Sequence, residues 1–382
     1  MYRKAIELDP NYANAYYTLG TLLAKDFTRT AEAEAMYRKA IELDSNDAVA
    51  YYNLGILLAK DSQRHSDTEA AFRKAIELNP NDAAAYHNLG ALLAKDSTRS
   101  ADTEAMYRKA IELNPNDAAA YNNLGNLLAE NSTRTADAET MYHKAIELNP
   151  NLAAAYNNLG ALLAKDSSRT ADAEAMYRKV VELDPNYTIA YNNLGNLLAK
   201  DSNRTVDAEA MYRKAIGLNP NDASGYHKLA HFVEKNPTRM IETENYFRKA
   251  SEIEPQVAEH FFCLGALLAK NIVRAADAID AFERAIQLDP KHAKAHSSLA
   301  ACFRKQGRDA EYAEQIEIAR ELISKESEYN RACFAAICGN VDDALVLLKA
   351  AIEKNASHRE LARRDLDFEW IRDDPRFKEV VG

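Results

Sequence analysis

Residues 118–152 read AAAYNNLGNLLAENSTRTADAETMYHKAIELNPNL, and most of the 382-residue chain is this stretch repeated with variation. Aligned on the tyrosine before Asn-Leu-Gly, it recurs at Tyr16, Tyr51, Tyr86, Tyr121, Tyr156, Tyr191 and Tyr226, and Phe261 and His296 continue the register. The step is 35 residues each time. A fixed period in this range is the signature of a stacked array, in which each unit buries its apolar face on its neighbours.

Within the unit, Tyr121, Leu124, Gly125 and Leu128 fall at helical spacing, as do Ala138, Met141, Tyr142, Ala145 and Ile146. Both are one-sided apolar stripes. Between them lies ENSTRT, rich in capping residues, and Pro150 stops the second helix because it lacks an N–H and clashes with the preceding turn. The unit is therefore two antiparallel helices, A and B. Gly20, Gly55, Gly90, Gly125, Gly160, Gly195 and Gly265 share one slot inside helix A. A mid-helix glycine costs ~1 kcal/mol against alanine, so its recurrence predicts a close approach by a neighbouring helix.

An aromatic residue, Leu-Gly, then Ala, aromatic, Ala and Pro at this spacing resembles the tetratricopeptide repeat. The resemblance implies an all-α fold, a right-handed α-solenoid superhelix of antiparallel helix pairs, and a non-catalytic protein-interaction role. The chain departs from the family in the A–B turn, where one residue is added and the motif reads Asp-Ser-x-Arg, as at Asp96-Ser97-Thr98-Arg99. The shorter glycine turn of the family is found at Gln306-Gly307-Arg308.

The expected organisation is a partial repeat at 1–12 holding only a helix B, nine repeats over 13–324, a degenerate tenth over 325–355, and a closing segment over 356–382. A first helix A with only part of a partner is expected to leave an N-terminal edge that frays or self-associates. In the closing segment, Trp370, Ile371 and Phe377 are expected to pack inward, with Arg372, Asp373 and Asp374 facing water.

The formal charge of −10 argues against a nucleic-acid surface, which needs a basic patch. No apolar run approaches the length of a membrane span, and the start has no signal-like character. A cytoplasmic protein is expected. Cys263, Cys302, Cys333 and Cys338 sit at helical positions among small or apolar neighbours and read as buried reduced thiols.

No nucleophile–base pair, phosphate loop or metal-spaced cysteine set stands out, so no enzyme and no cofactor is expected. In this architecture the A helices line the concave face. Immediately before Leu-Gly lie Asn53, Asn88, Asn123, Asn158 and Asn193, with Asn330 in the degenerate unit. One residue earlier lie Tyr17, Tyr52, His87, Asn122, Asn157 and Asn192, and one turn on lie Asn126 and Asn196. Asparagine both donates and accepts, so the row suits the backbone of an extended peptide. It resembles the asparagine row in the repeat region of O-linked N-acetylglucosamine transferases, which holds substrate polypeptide. The bland alternative is that each amide bonds across to a neighbouring helix. A lysine row at the end of helix A, including Lys60, Lys95, Lys165 and Lys200, reads either as a helix-dipole partner or as a site for an acidic ligand.

Lys228 and Lys294 approximate a dicarboxylate clamp only weakly, and His227, His231 and Cys263 form too sparse a set to count as a metal site. The leading expectation is a scaffold holding a protein or peptide in its groove. A self-associating spacer array and the substrate-binding region of a larger enzyme are the alternatives.

Overall fold

A computed structural model describes residues 1–382. The chain is an all-α array of helix pairs with no strand, and it divides into two compact units, residues 1–197 and 198–382. No helix is long and apolar enough to cross a membrane.

In the first unit, 11- or 12-residue A helices alternate with 14-residue B helices. Ala83–Leu93 is followed by Ser100–Leu113, Ala118–Ala129 by Thr135–Leu148, and Ala153–Leu163 by Thr170–Leu183. Several A helices start at an aspartate cap. Asp117 accepts from the backbone N–H groups of Ala119 and Ala120, and Asp82 does the same for Ala84 and Ala85. Such caps satisfy amides that have no partner within the helix. The short segment Tyr2–Leu8 has no buried residue.

The added residue of the A–B turn makes a single 3-10 turn, as at Ser97–Arg99 and Ser132–Arg134. Asp96 and Asn131 cap these turns by accepting from the amides of Thr98 and Thr133. The glycine slot is filled as close approach requires. A Cβ on Gly125 would stand 2.7 Å from the Tyr142 ring, and one on Gly55 would stand 2.7 Å from Phe72. The aromatic residue of helix B therefore packs directly against the bare backbone of helix A in the same repeat.

The second unit continues the pairing through Ala223–Val233 with Met240–Ile253, Ala258–Leu268 with Ala275–Leu288, and Ala293–Lys305 with Asp309–Leu322. Ala230 replaces glycine here, and both it and Phe247 are fully buried. The 3-10 turn gives way to glycine turns, with Gly307 at φ 69° and Gly339 at φ 77°, conformations that a Cβ disfavours. The pair Glu328–Ile337 and Val341–Lys354 then packs on Ser357–Arg364 and Pro375–Val381. Phe368, Ile371 and Phe377 are buried in one apolar cluster, with Trp370 half-buried at its edge. Asp373 is exposed, but against expectation Asp374, which caps Pro375–Val381, is half-buried, and so is Arg372. Arg372 is drawn inward because its guanidinium donates to the Asp365 carbonyl oxygen at 2.6 Å.

Candidate functional site

The A helices carry the candidate residues, and the 35-residue period brings equivalent positions of successive repeats together. Each asparagine before Leu-Gly donates back to the residue 36 positions earlier. Asn53 Nδ2 reaches the Tyr17 hydroxyl at 3.1 Å, and Asn88 Nδ2 reaches the Tyr52 hydroxyl at 3.0 Å. Asn123 Nδ2 meets His87 Nε2 at 3.2 Å, Asn158 donates to Asn122 Oδ1 at 3.0 Å, and Asn193 donates to Asn157 Oδ1 at 3.1 Å.

Within each repeat the two neighbouring amides are also joined. Asn122 Nδ2 donates to Asn123 Oδ1 and Asn157 Nδ2 to Asn158 Oδ1, both at 3.3 Å. A single polar line therefore runs from Asn193 through Asn157, Asn158, Asn122 and Asn123 to His87. It ends at Asp117, whose Oδ2 lies 2.8 Å from His87 Nδ1. A carboxylate only accepts, so His87 carries its hydrogen on Nδ1 and receives Asn123 at Nε2.

Burial sorts these residues. Asn122, Asn157 and Asn192 are buried, whereas Asn53, Asn88, Asn123, Asn158 and Asn193 are half-buried. Asn126 and Asn196 are exposed, and Asn126 Oδ1 accepts from the Tyr142 hydroxyl at 2.9 Å. Lys60, Lys95, Lys165 and Lys200 are exposed beyond the helix ends, with the Lys60 ammonium 5.0 Å from the Phe27 ring centroid. Asn330 does not join the line and donates to Glu326 instead, at 2.7 Å.

A second inter-repeat row escaped the sequence reading. The turn arginine of most repeats reaches a glutamate 30 residues earlier. Arg64 pairs with Glu34, Arg99 with Glu69, Arg134 with Glu104, and Arg169 with Glu139, at 2.7–2.8 Å. The second unit repeats this with Arg239 and Glu209 at 2.7 Å and with Arg274 and Glu244 at 3.1 Å. Hydrogen bonds from Arg134, then Arg108, hold Glu104 down to about 2, and Arg239, then Arg213, do the same for Glu209. The recurring turn arginine was the available signal, since the longer turn is what lets it reach the preceding B helix.

In the second unit the asparagine slots change chemistry. His227 stands where Asn122 stands in its repeat, His231 where Asn126 stands, and Cys263 takes the Asn123 slot one repeat on. Their ligand atoms lie within 4.8 Å of one another. Burial, then the nearby His231 and His260, push His227 down to about 4, and burial raises the Cys263 thiol. Glu234 is held at about 2; burial opposes its ionisation, but His231 and Lys270 overcome that.

Comparison with known proteins agrees with the repeat. Residues 1–35, 36–69, 71–102 and 106–140 match one model of the tetratricopeptide repeat, and residues 159–223 and 265–326 match another. No curated protein matches. Among solved structures, YrrB is described as a TPR protein with an unusual peptide-binding site. It is similar at 28% identity and a TM-score of 0.42, over 50% of this chain and 95% of its own. PilF of Pseudomonas aeruginosa is similar at 21% identity and a TM-score of 0.48, over 57% of this chain and 97% of its own.

Proposed function

We propose, starting from the fact that this chain belongs to the tetratricopeptide repeat family, that it is a protein-interaction scaffold whose A helices hold an extended polypeptide segment. The family is generally a non-catalytic interaction module. The observation that carries the reading is the line of amides from Asn193 to His87, each fixed by its neighbour.

An asparagine Nδ2 has two hydrogens. Asn88, Asn123 and Asn158 each commit one to the preceding repeat. The second is available to a carbonyl of a bound chain. Because the amides are already held, docking a peptide on them costs little side-chain entropy. Packed helices are ~8–10 Å apart and extended chain advances ~3.3 Å per residue, so such contacts fall only every few residues. The row reads backbone and not sequence. The exposed Lys60, Lys95 and Lys165 at the helix ends favour a segment carrying acidic residues.

A phage-displayed library of random 12-residue peptides, panned on the full chain, tests this. Selected peptides should bind at least tenfold more weakly to Lys95→Glu/Lys165→Glu and to Asn88→Ala/Asn123→Ala/Asn158→Ala, with folding checked by circular dichroism. A library that yields no binder, or binders indifferent to both variants, removes the proposal.

A further inference from the structure

Two imidazole nitrogens face one another in the second unit with no hydrogen left for their contact. Glu234 Oε2 lies 3.2 Å from His231 Nδ1, and Glu254 Oε2 lies 3.1 Å from His260 Nε2. A carboxylate only accepts, so both ring nitrogens carry their hydrogens. With its one hydrogen on Nε2, His260 then presents a bare Nδ1, 3.1 Å from His227 Nδ1, which is the donor. This leaves the lone pairs of His227 Nε2 and His231 Nε2 meeting at 3.1 Å. The Cys263 sulfur stands 3.5 Å from His231 Nε2.

Two lone pairs at that distance need a cation between them, either a proton or a metal ion. The third atom, a thiol that also lies 3.8 Å from Glu259 Oε1, favours the metal. Zinc bonds of ~2.0–2.1 Å to nitrogen and ~2.3 Å to sulfur give tetrahedral edges of about 3.3 Å between nitrogens and about 3.6 Å between nitrogen and sulfur. The observed edges are 3.1 Å between the nitrogens and 3.5 Å from His231 Nε2 to the sulfur, and all three ligand atoms lie within 4.8 Å of one another.

We propose that His227 Nε2, His231 Nε2 and the Cys263 thiolate bind Zn²⁺, with water in the fourth position. His227 and His231 lie four residues apart on the helix Ala223–Val233, so they share one face. Cys263 comes from the next A helix, Ala258–Leu268. His227 and Cys263 are 36 residues apart, the same separation as Asn122 and Asn158. The ion would thus replace, at one joint of the array, the amide bond that ties other joints together. Glu234 on His231 and the His260–Glu254 pair behind His227 supply the outer partners that fix the tautomers of metal-bound histidines. Binding converts the Cys263 thiol to a Zn-bound thiolate and releases its proton to solvent.

Titration of the full chain with Co²⁺, which takes the same tetrahedral site, tests this. One equivalent should bind with a near-ultraviolet thiolate-to-cobalt charge-transfer band, and Zn²⁺ should displace it. Cys263→Asn should abolish the band, and His227→Asn and His231→Asn should weaken Zn²⁺ binding at least hundredfold by calorimetry. Glu234→Gln should weaken it by about 10–100-fold. Asparagine is the array's own residue at these three slots, so the variants restore its usual side chains, and Cys302→Ala serves as a control that keeps the band. The idea is overturned by a wild-type chain that shows no band, by a band that survives Cys263→Asn, or by unchanged affinity in His231→Asn. A proton shared between the two imidazoles would give the first of these results.

Discussion

Asn158 donates from Nδ2 to Asn122 Oδ1 at 3.0 Å, and so joins the A helices of two successive repeats through a pair of side-chain amides. Asn122 is 7% exposed, and the buried Asn157 donates to the Oδ1 of the same Asn158. Asn158→Ala therefore strands an acceptor and a donor away from water. A buried polar group left unpaired costs ~1–3 kcal/mol, more than the ~1 kcal/mol a satisfied bond contributes net. The denaturation midpoint should fall by a corresponding amount, while Lys165→Ala at the exposed helix end should change it by no more than ~0.5 kcal/mol. Arrays unfold in segments, so hydrogen exchange should show the loss concentrated in the helices Ala118–Ala129 and Ala153–Leu163. Equal effects from both variants would mean that the amide pair does not hold the joint.

Glycine substitutions should go in opposite directions at two sites. At Gly125 an added Cβ would stand 2.7 Å from the Tyr142 ring, and Tyr142 is tethered through its hydroxyl to Asn126 at 2.9 Å. The ring cannot retreat without breaking that bond. Overpacking costs ~1–3 kcal/mol, which exceeds the ~1 kcal/mol gained in helix propensity. At Gly217, on the helix Thr205–Leu218, nothing lies within 4 Å of the added carbon. Gly217→Ala should stabilise by roughly 0.5–1 kcal/mol, and Gly125→Ala should lower the thermal midpoint. Matching signs at the two sites would refute the argument.

Acid should weaken the array through its arginine–glutamate row. Glu104 and Glu209 are held at about 2 by their arginine partners, below the ordinary glutamate value of ~4.3. A depressed carboxyl favours the folded state while it is charged. Its contribution is complete above the unfolded value, and it is lost as pH falls from about 4.5 toward 2. Urea midpoints measured from pH 7 to pH 2 should hold steady and then drop through that window. Glu104→Gln/Glu209→Gln should start lower at pH 7 and fall less. Parallel curves for variant and wild type would place the acid sensitivity elsewhere.

The stacking of helix pairs was legible because the signals lie within one repeat. Glycine against aromatic and proline after helix B report contacts made inside the repeat, and the period supplied the rest. The joints between repeats were harder to read. Both rows of the polar line were visible as Asn122 and Asn158 slots, but which amide meets which depends on how one A helix is rotated against the next. Arg134 and Glu104 are 30 residues apart, five short of the period, because the turn of one repeat leans over the B helix of the one before. His227, His231 and Cys263 looked too sparse in sequence. The tautomers that set their lone pairs against one another are fixed by Glu234 and by Glu254, acting through His260, and these pairings appear only once the helices are packed.

The C-terminal cluster offers a final test, because its centre is apolar. Phe368 is fully buried, with its ring centroid 5.8 Å from that of Tyr329 and 5.5 Å from that of Phe377. Phe368→Ala removes a ring from a site closed by several elements and should cost ~3–5 kcal/mol. Leu361→Ala, at a side chain 50% exposed in the same segment, should cost less than ~0.5 kcal/mol. Because each repeat leans chiefly on its neighbours, the Phe368 loss should appear in hydrogen exchange first in Glu328–Ile337 and Val341–Lys354. The helices before residue 198, in the other compact unit, should keep their protection. Loss of protection spread evenly along the chain would mean that the array unfolds as one block, and that the cluster does not act locally.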